Sequence, residues 1–246
     1  MKGWHHPVHW RQWALIAAAA FGAAPSCMAA PLATLQTQAS GVFLNASGNV
    51  LTARHAVTDC AVVYAIKGSQ VVRAHLLAQS EALDLAVLDT TLTPYLAATL
   101  PSSDDWETGQ IGVFAEAYGV LQDMPERAST VFNAMTVPSD DSLSMLSPVR
   151  PGASGSPVLG KAGLMLGVIV ERVAVDRSGP GRVMLSRAQS APSGIGTRVK
   201  AVSAPRIKAF LREQNIAFSE SDAPQLGPMQ AQAPRAATLS VGIICG

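Results

Sequence analysis

Short apolar runs rich in β-branched residues, separated by turn-forming residues, recur along most of this 246-residue chain. Runs of this length and spacing are typical of strands, whereas helices show longer runs with a period of about 3.6 residues. The pattern predicts an all-β fold, either a sandwich or barrels. The expected strands are a hairpin at 41–57 and further strands at 61–66, 70–78, 83–89, 110–117, 129–137, 157–160, 164–173 and 195–199.

One segment has the periodicity of a helix. In SAPRIKAFLREQN (203–215), Ser203 can cap the first turn, and the apolar residues Ile207, Phe210 and Leu211 fall on one face. A Pro/Gln/Ala-rich stretch follows, and we expect it to be a linker. The chain then closes on ATLSVGIICG, whose apolar and β-branched residues predict a last strand.

The N-terminus has the pattern of an export signal. Lys2 and Arg11 precede the apolar WALIAAAAFGAA, which is too short to span a bilayer, and small residues follow at CMAAP. We expect a signal peptide at 1–29 with cleavage after Ala29; lipidation of Cys27 is the minor alternative. No later run is long enough for a membrane span. The sequence thus predicts an exported protein, either periplasmic in a bacterium or secreted.

Charge and composition limit the classes of partner and cofactor. The formal net charge is +1 and no basic run stands out, so the chain lacks the charge pattern of a nucleic-acid-binding protein. After removal of the signal, the histidines and cysteines are His55, His75, Cys60 and Cys245, without the paired spacing of a zinc site. We expect no metal, no cofactor and, in an exported protein, one disulfide.

The stretch VRPGASGSPVL (149–159) concentrates glycine, proline and serine just before a strongly apolar run. These residues are ordinary turn formers, so a plain surface turn is one interpretation. The other is a nucleophile, because Ser154 lies between Gly152 and Gly155 and the amides at 152 and 154 can point to one spot beside its hydroxyl. The G-x-S-x-G pattern of α/β-hydrolases is not met, since residue 156 is serine.

A nucleophilic serine needs a base and a carboxylate that orients that base. His55 ends the second strand of the hairpin, whereas His75 lies within an alternating strand and is expected to be an ordinary strand residue. Asp84 lies among apolar neighbours in ALDLAVLD and needs a partner if it is buried; an edge-strand aspartate facing water is the alternative. Asp59 and Asp89 are expected to be solvated.

Three segments together resemble one family. GVFLNASGNVLTARHAV, LDLAVL and RPGASGSPV carry His55, Asp84 and Ser154 in that order, and they are similar to segments of the trypsin-like (chymotrypsin-fold) serine proteases. The similarity is particularly to the bacterial HtrA/V8-like branch, without a PDZ domain, and covers about residues 39–216. It implies two six-stranded antiparallel β-barrels with a C-terminal helix, and the composition of ATLSVGIICG adds a tail strand to this fold.

The resemblance also implies a division of the chain. After the signal peptide, it predicts an N-terminal barrel at 31–118 and a C-terminal barrel with its helix at 119–218, and composition predicts a linker with a terminal strand at 219–246. The expected disulfide, Cys60 to Cys245, would attach the end of the chain to the N-terminal barrel.

The roles implied by the family are specific. His55 is the general base, Asp84 its orienting carboxylate and Ser154 the nucleophile, while the amides of Gly152 and Ser154 form the oxyanion hole. The expected function is that of an exported serine endopeptidase acting on polypeptides through an acyl-enzyme. A catalytically weak pseudoprotease that binds partners on the same fold is the alternative, and an unrelated β-rich envelope protein is a third.

Departures from the family pattern bear on the site. Ala153 stands where animal trypsins have an aspartate before the nucleophile, and Val170 stands where they place a serine beside the catalytic acid. The position of the acidic pocket floor of trypsin is a proline here, so an uncharged, small-to-medium apolar residue is the expected preference. The predicted pocket residues are Pro148, Val170, Glu171, Gly194 and Gly196.

Overall fold

Strands dominate the regular structure of the chain. The computed structural model describes residues 1, 3, 37–103, 111–137, 143–173 and 197–246, so nearly all of the expected signal peptide, together with Gly194 and Gly196, lies outside the described residues. The strands are β1 (Ala39–Phe43), β2 (Val50–Ala53), β3 (Val63–Lys67), β4 (Gln70–Ser80), β5 (Leu85–Asp89), β6 (Thr99–Leu100), β7 (Gly112–Val113), β8 (Ala134–Val137), β9 (Leu143–Ser147), β10 (Pro157–Leu159), β11 (Met165–Val173), β12 (Thr197–Ser203), β13 (Ser219–Glu220) and β14 (Ser240–Cys245).

Helices are few and short. They are α1 (Tyr118–Asp123), α2 (Ala204–Glu213) and α3 (Gln232–Leu239), with one 3-10 turn at Arg54–Ala56. The second of these is the predicted helix, and it buries Ile207, Phe210 and Leu211 as its periodicity indicates. No helix in the described part of the chain is long and apolar enough to cross a membrane.

The third helix differs from the sequence prediction. The alanine-rich stretch expected to be a linker contains α3, and the last strand begins only at Ser240. This helix forms because Ala233, Ala236 and Leu239 share one face and are buried in the main core of the protein. Local composition alone does not reveal that packing partner.

The first barrel is closed by the last strand of the chain. Its strands follow the order β1-β14-β3-β4-β5-β2, and all of its pairings are antiparallel. Gly242 of β14 pairs with Ser40 of β1 on one side and with Ile66 of β3 on the other. The barrel interior includes Phe43, Leu88 and Ile243. The barrel therefore depends on a segment nearly two hundred residues away in sequence.

Covalent and polar contacts fasten this last strand. Cys60 and Cys245 form the predicted disulfide across a sequence separation of 185 residues, with their Cα atoms 5.2 Å apart. The Nζ atom of Lys67 donates at 2.7 Å to the carbonyls of Ala237, Thr238 and Ser240. These carbonyls lie at the end of α3, where the helix provides no further N–H donors for them. The Lys67 amine therefore satisfies carbonyl groups that would be costly to bury without a hydrogen bond.

The second barrel is a six-stranded sheet in the order β10-β11-β12-β9-β8-β7. Phe114 and Leu159 exchange two backbone hydrogen bonds of 2.9 and 2.8 Å and so nearly close the sheet on itself. Its core includes Met145, Val158 and Val199, all without exposed surface. With the first barrel, it confirms the predicted fold class of two six-stranded antiparallel barrels with a C-terminal helix and a tail strand.

The segment from β13 to β14 contacts both barrels. Before it enters the first barrel, this segment pairs β13 with β6 in parallel. Gln232 Nε2 and Arg235 Nε of α3 donate to the carbonyls of Lys161 and Gly163 in the turn between β10 and β11, at 3.0 and 2.8 Å. The end of the chain thus ties the two barrels together.

The barrels also meet where the turn before β10 lies on β1. The Ser40 amide donates to the Ser154 carbonyl at 2.8 Å. Gly155 has a φ of +86°, and a Cβ atom there would overlap the Ser40 carbonyl oxygen and crowd the Thr52 hydroxyl. Glycine is therefore required here by backbone conformation and by close approach at once.

The disulfide makes a testable contribution to stability. We expect reduction of the disulfide to lower the free energy of unfolding by about 5 kcal/mol. Without the disulfide, the unfolded chain gains the conformational entropy that closure of so long a loop removes. Denaturant unfolding with and without reductant measures this difference. A Cys60→Ser/Cys245→Ser double variant is the control, since its midpoint should not respond to reductant. Identical wild-type midpoints in both conditions would contradict the expectation.

Two glycine variants separate close approach from backbone conformation. Gly155→Ala should destabilise the protein by at least about 3 kcal/mol, because the methyl group meets backbone. Gly68→Ala is the matched control: its φ is +58° and nothing lies within 4 Å of the added Cβ, so about 1 kcal/mol is expected. Chemical denaturation of both variants checks this, and equal losses would rule out the proposed packing.

Candidate active site

His55 and Asp84 are brought together by the pairing of β2 with β5. His55 lies in the 3-10 turn directly after β2, and Asp84 directly precedes β5. Ala53 and Leu85 are partners in the antiparallel ladder, and the Arg54 amide donates to the Asp84 carbonyl at 2.9 Å. The end of one strand and the beginning of the next therefore place both residues at one edge of the first barrel.

The backbone of Asp84 departs from the sequence prediction. The expected strand at 83–89 includes this residue, but β5 begins one residue later and Asp84 has a φ of +51°. Aspartate tolerates this left-handed region better than most residues, because its short polar side chain can bond locally. The Asp84 side chain is 34% exposed. It therefore lies between the two predicted alternatives, a buried acid with a partner and an edge-strand aspartate facing water.

The carboxylate of Asp84 contacts His55 at two points. Its Oδ2 atom lies 2.6 Å from Nδ1 of the imidazole, and its Oδ1 atom accepts from the His55 amide at 2.9 Å. An ionised carboxylate can only accept, so Nδ1 carries the proton in this contact. The other ring nitrogen, Nε2, is then unprotonated in the neutral imidazole and can act as a base.

Ser154 completes a continuous line of contacts. Its Oγ atom lies 3.0 Å from His55 Nε2. The backbone around it is held by both barrels, because the Ser154 carbonyl accepts from Ser40 of β1 and the Gly155 amide donates to Ile169 of β11 at 2.7 Å. The structure brings together His55, Asp84 and Ser154 at hydrogen-bond distances, although they are far apart in sequence.

We name residues 150–156 the nucleophile turn. Gly152 has a φ of +90°, a conformation that a side chain would resist, and its carbonyl accepts from the Ser40 hydroxyl at 2.8 Å. Among the described residues, neither the Gly152 amide nor the Ser154 amide donates to a protein acceptor within hydrogen-bond distance. These are the two amides predicted for the oxyanion hole.

Two polar residues at this turn were missed by sequence reasoning. Ser40 has no exposed surface; its hydroxyl accepts from the Tyr118 amide at 2.8 Å and donates to the Gly152 carbonyl. Glu116 is 6% exposed, and its Oε1 atom accepts from the amides of Ala117 and Arg150 at 2.9 and 3.3 Å. The available signal for Glu116 was a lone acidic residue in the apolar stretch IGVFAEAYGV, whereas Ser40 follows other polar residues in LQTQAS and has no such signal.

Burial and hydrogen bonding act in opposite directions on Glu116. Burial raises the pKa of its carboxyl group and is the largest effect, while the amides of Ala117 and Arg150 and the charge of Arg150 lower it. The Ser156 hydroxyl donates to the Glu116 carbonyl at 2.8 Å. The residue therefore contacts the nucleophile turn through both its side chain and its backbone.

The predicted pocket residues lie in three environments. Pro148 is exposed between β9 and the nucleophile turn. Val170 is half-buried at an irregularity in the β11–β12 pairing and packs on the main core. Glu171 is exposed and pairs with Lys200 of β12 at 2.9 Å. Gly194 and Gly196 belong to the part of the chain that is not described.

The remaining titratable candidates lie elsewhere. His75 is exposed on β4, opposite Asp89 in the ladder, and Asp59 is an exposed turn residue with a φ of +62°. Asp89 is exposed and accepts from Asn49 at 3.1 Å. Within the described ranges, no group of three or more His, Cys, Asp or Glu side chains is arranged to hold a metal ion.

Comparison with solved structures reveals similar folds. The HtrA-type protease AlgW with decapeptide is 18% identical, with a TM-score of 0.52 over 72% of this chain and 51% of AlgW. A serine-to-alanine AlgW variant with tripeptide is also 18% identical, with a TM-score of 0.51 over 72% and 55%. An inactive-form mutant of Rv3671c from M. tuberculosis H37Rv is 14% identical, with a TM-score of 0.46 over 73% and 82%.

The two AlgW matches, with TM-scores above 0.5, show a similar fold and not an activity. The chain spans about half the length of the AlgW chains that it matches. No curated protein sequence matches it. The model of the trypsin-like peptidase domain family matches residues 39–168, which is more than half of the chain. The chain therefore belongs to the trypsin-like peptidase domain family.

Proposed function

We propose that this chain is an exported serine endopeptidase that hydrolyses peptide bonds of polypeptides through Asp84, His55 and Ser154. The observation that carries the proposal is the line of contacts from the Asp84 carboxylate through the imidazole to the Ser154 hydroxyl, at 2.6 and 3.0 Å. A nucleophile, a base and an orienting carboxylate at these distances are the parts that acyl transfer requires.

Acylation begins at the serine. Ser154 Oγ attacks the carbonyl carbon of the scissile bond while His55 Nε2 takes the hydroxyl proton, and the Asp84 carboxylate stabilises the imidazolium that forms. The negative charge on the substrate oxygen is stabilised by the amides of Gly152 and Ser154. When the tetrahedral intermediate collapses, the peptide C–N bond breaks and the imidazolium donates its proton to the leaving amine.

Deacylation repeats these steps with water as the nucleophile. His55 removes a proton from the water as its oxygen attacks the acyl carbon of the Ser154 ester. The imidazolium then returns the proton to Ser154 Oγ as the ester bond breaks. The carboxylate product leaves, and the enzyme regains its starting protonation state.

Contacts around the imidazole support this role for His55. Because Asp84 accepts from both the ring and the backbone amide, rotation of the side chain and movement of the turn are both resisted. Rotation of the imidazole would move Nε2 away from Ser154. Such a displacement of a catalytic group would lower the reaction rate strongly.

The disulfide and the N-terminal pattern support export. Disulfides persist in oxidising compartments, and Cys60 and Cys245 are well placed to form one. An apolar stretch preceded by Lys2 and Arg11 and followed by small residues is typical of a signal peptide. We therefore assign the mature protein to the bacterial periplasm or to the secreted fraction.

A polypeptide is the proposed substrate class. The structure of AlgW, which has a similar fold, has been solved with a decapeptide, and this supports a peptide as the ligand here. A pseudoprotease on the same fold would bind such a peptide without cleaving it. The assays below separate these two functions, because only the protease depends on the nucleophile for turnover.

The pocket residues support an apolar preference for the residue whose carbonyl is attacked. Pro148 offers no charge, and half-buried Val170 adds apolar surface. The carboxylate of Glu171 is engaged by Lys200 at 2.9 Å, which reduces its capacity to attract a basic substrate residue. Small-to-medium uncharged residues are therefore the proposed preference.

Single variants test the catalytic assignment. Ser154→Ala and His55→Ala should each lower the rate of hydrolysis of a dye-labelled, denatured protein substrate by at least about 10³-fold. The reason is that Ser154, His55 and Asp84 act as a unit. His75→Ala is the matched control and should retain wild-type activity, since this histidine is exposed on β4. Wild-type activity in Ser154→Ala would refute the assignment, and an inactive wild type that still binds peptide would favour the pseudoprotease.

Cleavage profiling tests the preference. Digestion of a denatured protein mixture, followed by mass spectrometry of the new termini, should find small-to-medium apolar residues on the acyl side of the cuts. The Ser154→Ala variant, prepared identically, controls for contaminating proteases. Cuts confined to the carboxyl side of Arg and Lys, or of Glu, would show that the pocket has been misassigned.

A further inference from the structure

We propose that Glu116 is a positioning residue that fixes the nucleophile turn in the orientation needed for the oxyanion amides. The proposal rests on the serine protease function proposed above. In animal trypsins the residue before the nucleophile is an aspartate, but here that position is Ala153, and a carboxylate reaches the turn from another part of the chain.

The side chain of Glu116 anchors the start of the turn. Its Oε1 atom accepts from the Arg150 amide at 3.3 Å and from the Ala117 amide at 2.9 Å. A charged acceptor makes a stronger bond to a backbone N–H than a neutral carbonyl does. The Arg150 amide is two residues ahead of Gly152, so its orientation constrains the backbone that leads to the first oxyanion amide.

The backbone of Glu116 anchors the end of the same turn. Its carbonyl accepts from the Ser156 hydroxyl at 2.8 Å, and Ser156 has no exposed surface. Glu116 therefore forms one hydrogen bond with each end of the seven-residue turn 150–156. A turn held at both ends has fewer conformations to explore than one that is held at one end.

The middle of the turn is attached two residues further along. The Tyr118 amide donates to the Ser40 hydroxyl at 2.8 Å, and that hydroxyl donates to the Gly152 carbonyl at 2.8 Å. Residues 116–118 therefore reach the start, the middle and the end of the nucleophile turn. Within this set, Glu116 is the residue whose side chain itself bonds to the turn, so a substitution can remove that contact.

The side chain of Ala153 is a methyl group and makes no polar contact that competes with that of Glu116. Its methyl group is 4% exposed and packs in the core of the second barrel with Val113, Val149 and neighbouring residues. Across the described residues, Glu116 is the one buried acidic residue. A buried carboxylate is costly unless it is hydrogen-bonded, and the amides of Ala117 and Arg150 supply two hydrogen bonds to this one.

The consequence for catalysis concerns the transition state. If the Arg150 amide loses its acceptor, the peptide before Gly152 can rotate and the Gly152 amide no longer faces the substrate oxygen consistently. Oxyanion bonds strengthen only as negative charge develops, so this defect should lower kcat and leave KM nearly unchanged.

Three substitutions test the proposal. Glu116→Ala removes the acceptor, Glu116→Asp keeps the charge but is one methylene too short to reach Arg150, and Glu116→Gln keeps an oxygen at full reach. Thr90→Ala is the control. It removes the buried hydrogen bond of 2.7 Å from the Thr90 hydroxyl to the Gly48 carbonyl in the first barrel and does not alter a contact of the turn. Each variant is compared by kcat, by KM and by hydrogen exchange of the peptides that cover 150–156.

We expect Glu116→Ala and Glu116→Asp to lower kcat by about 10- to 100-fold and to leave KM within about twofold of the wild-type value. A misdirected Gly152 amide would lose part of its hydrogen bond to the substrate oxyanion. Their amides at 150–156 should exchange faster. Glu116→Gln should stay within about threefold of the wild-type kcat and keep slow exchange. Thr90→Ala should leave kcat and the exchange of the turn at wild-type values.

Two results would overturn the proposal. One is wild-type exchange at 150–156 in a folded Glu116→Ala variant, or in Glu116→Asp if the alanine variant does not fold. The other is wild-type kcat in both variants. Hydrogen exchange does not need an active enzyme, so an inactive wild type would refute the protease function while the exchange of the turn still tests the role of Glu116 in holding it.

Discussion

The pairing of the last strand with the first is the constraint on which the rest of the structure depends. β14 fills the gap between β1 and β3, and without it the first barrel has two unpaired edges. β1 in turn carries Ser40, which holds the carbonyls of Gly152 and Ser154. The end of the chain therefore supports the strand on which the nucleophile turn rests, although it contributes no side chain to the contacts among Asp84, His55 and Ser154.

The candidate site is divided between the two barrels. The first supplies His55 and Asp84 from the adjoining ends of β2 and β5, and the second supplies Ser154 from the turn before β10. Each side is braced separately, by the double contact of Asp84 with His55 and by the contacts of Glu116 with the turn. Under the proposed function, the geometry of the site therefore depends on long-range packing of the two barrels as well as on His55, Asp84 and Ser154 themselves.

Local patterns in the sequence predict only part of this arrangement. Strand runs are visible because side-chain alternation is local, and the Gly/Pro/Ser-rich motif around Ser154 carries a strong turn signal, whereas the motif around Asp84 indicates a strand. The contacts of Ser40 with Gly152 and of Glu116 with Arg150 span 112 and 34 residues, and no local periodicity encodes them. The same holds for α3, whose alanine-rich sequence forms a helix because the barrels offer a surface on which its apolar face is buried.

The central claim, that Ser154 is a nucleophile activated by His55, is tested most directly by reaction with a fluorophosphonate followed by mass spectrometry of the peptides. The account predicts one adduct per chain, on Ser154, with labelling strongly reduced in His55→Ala and unaffected in His75→Ala. Absence of an adduct on Ser154 in the folded, oxidised wild type, or equal labelling of the wild type and His55→Ala, would contradict it.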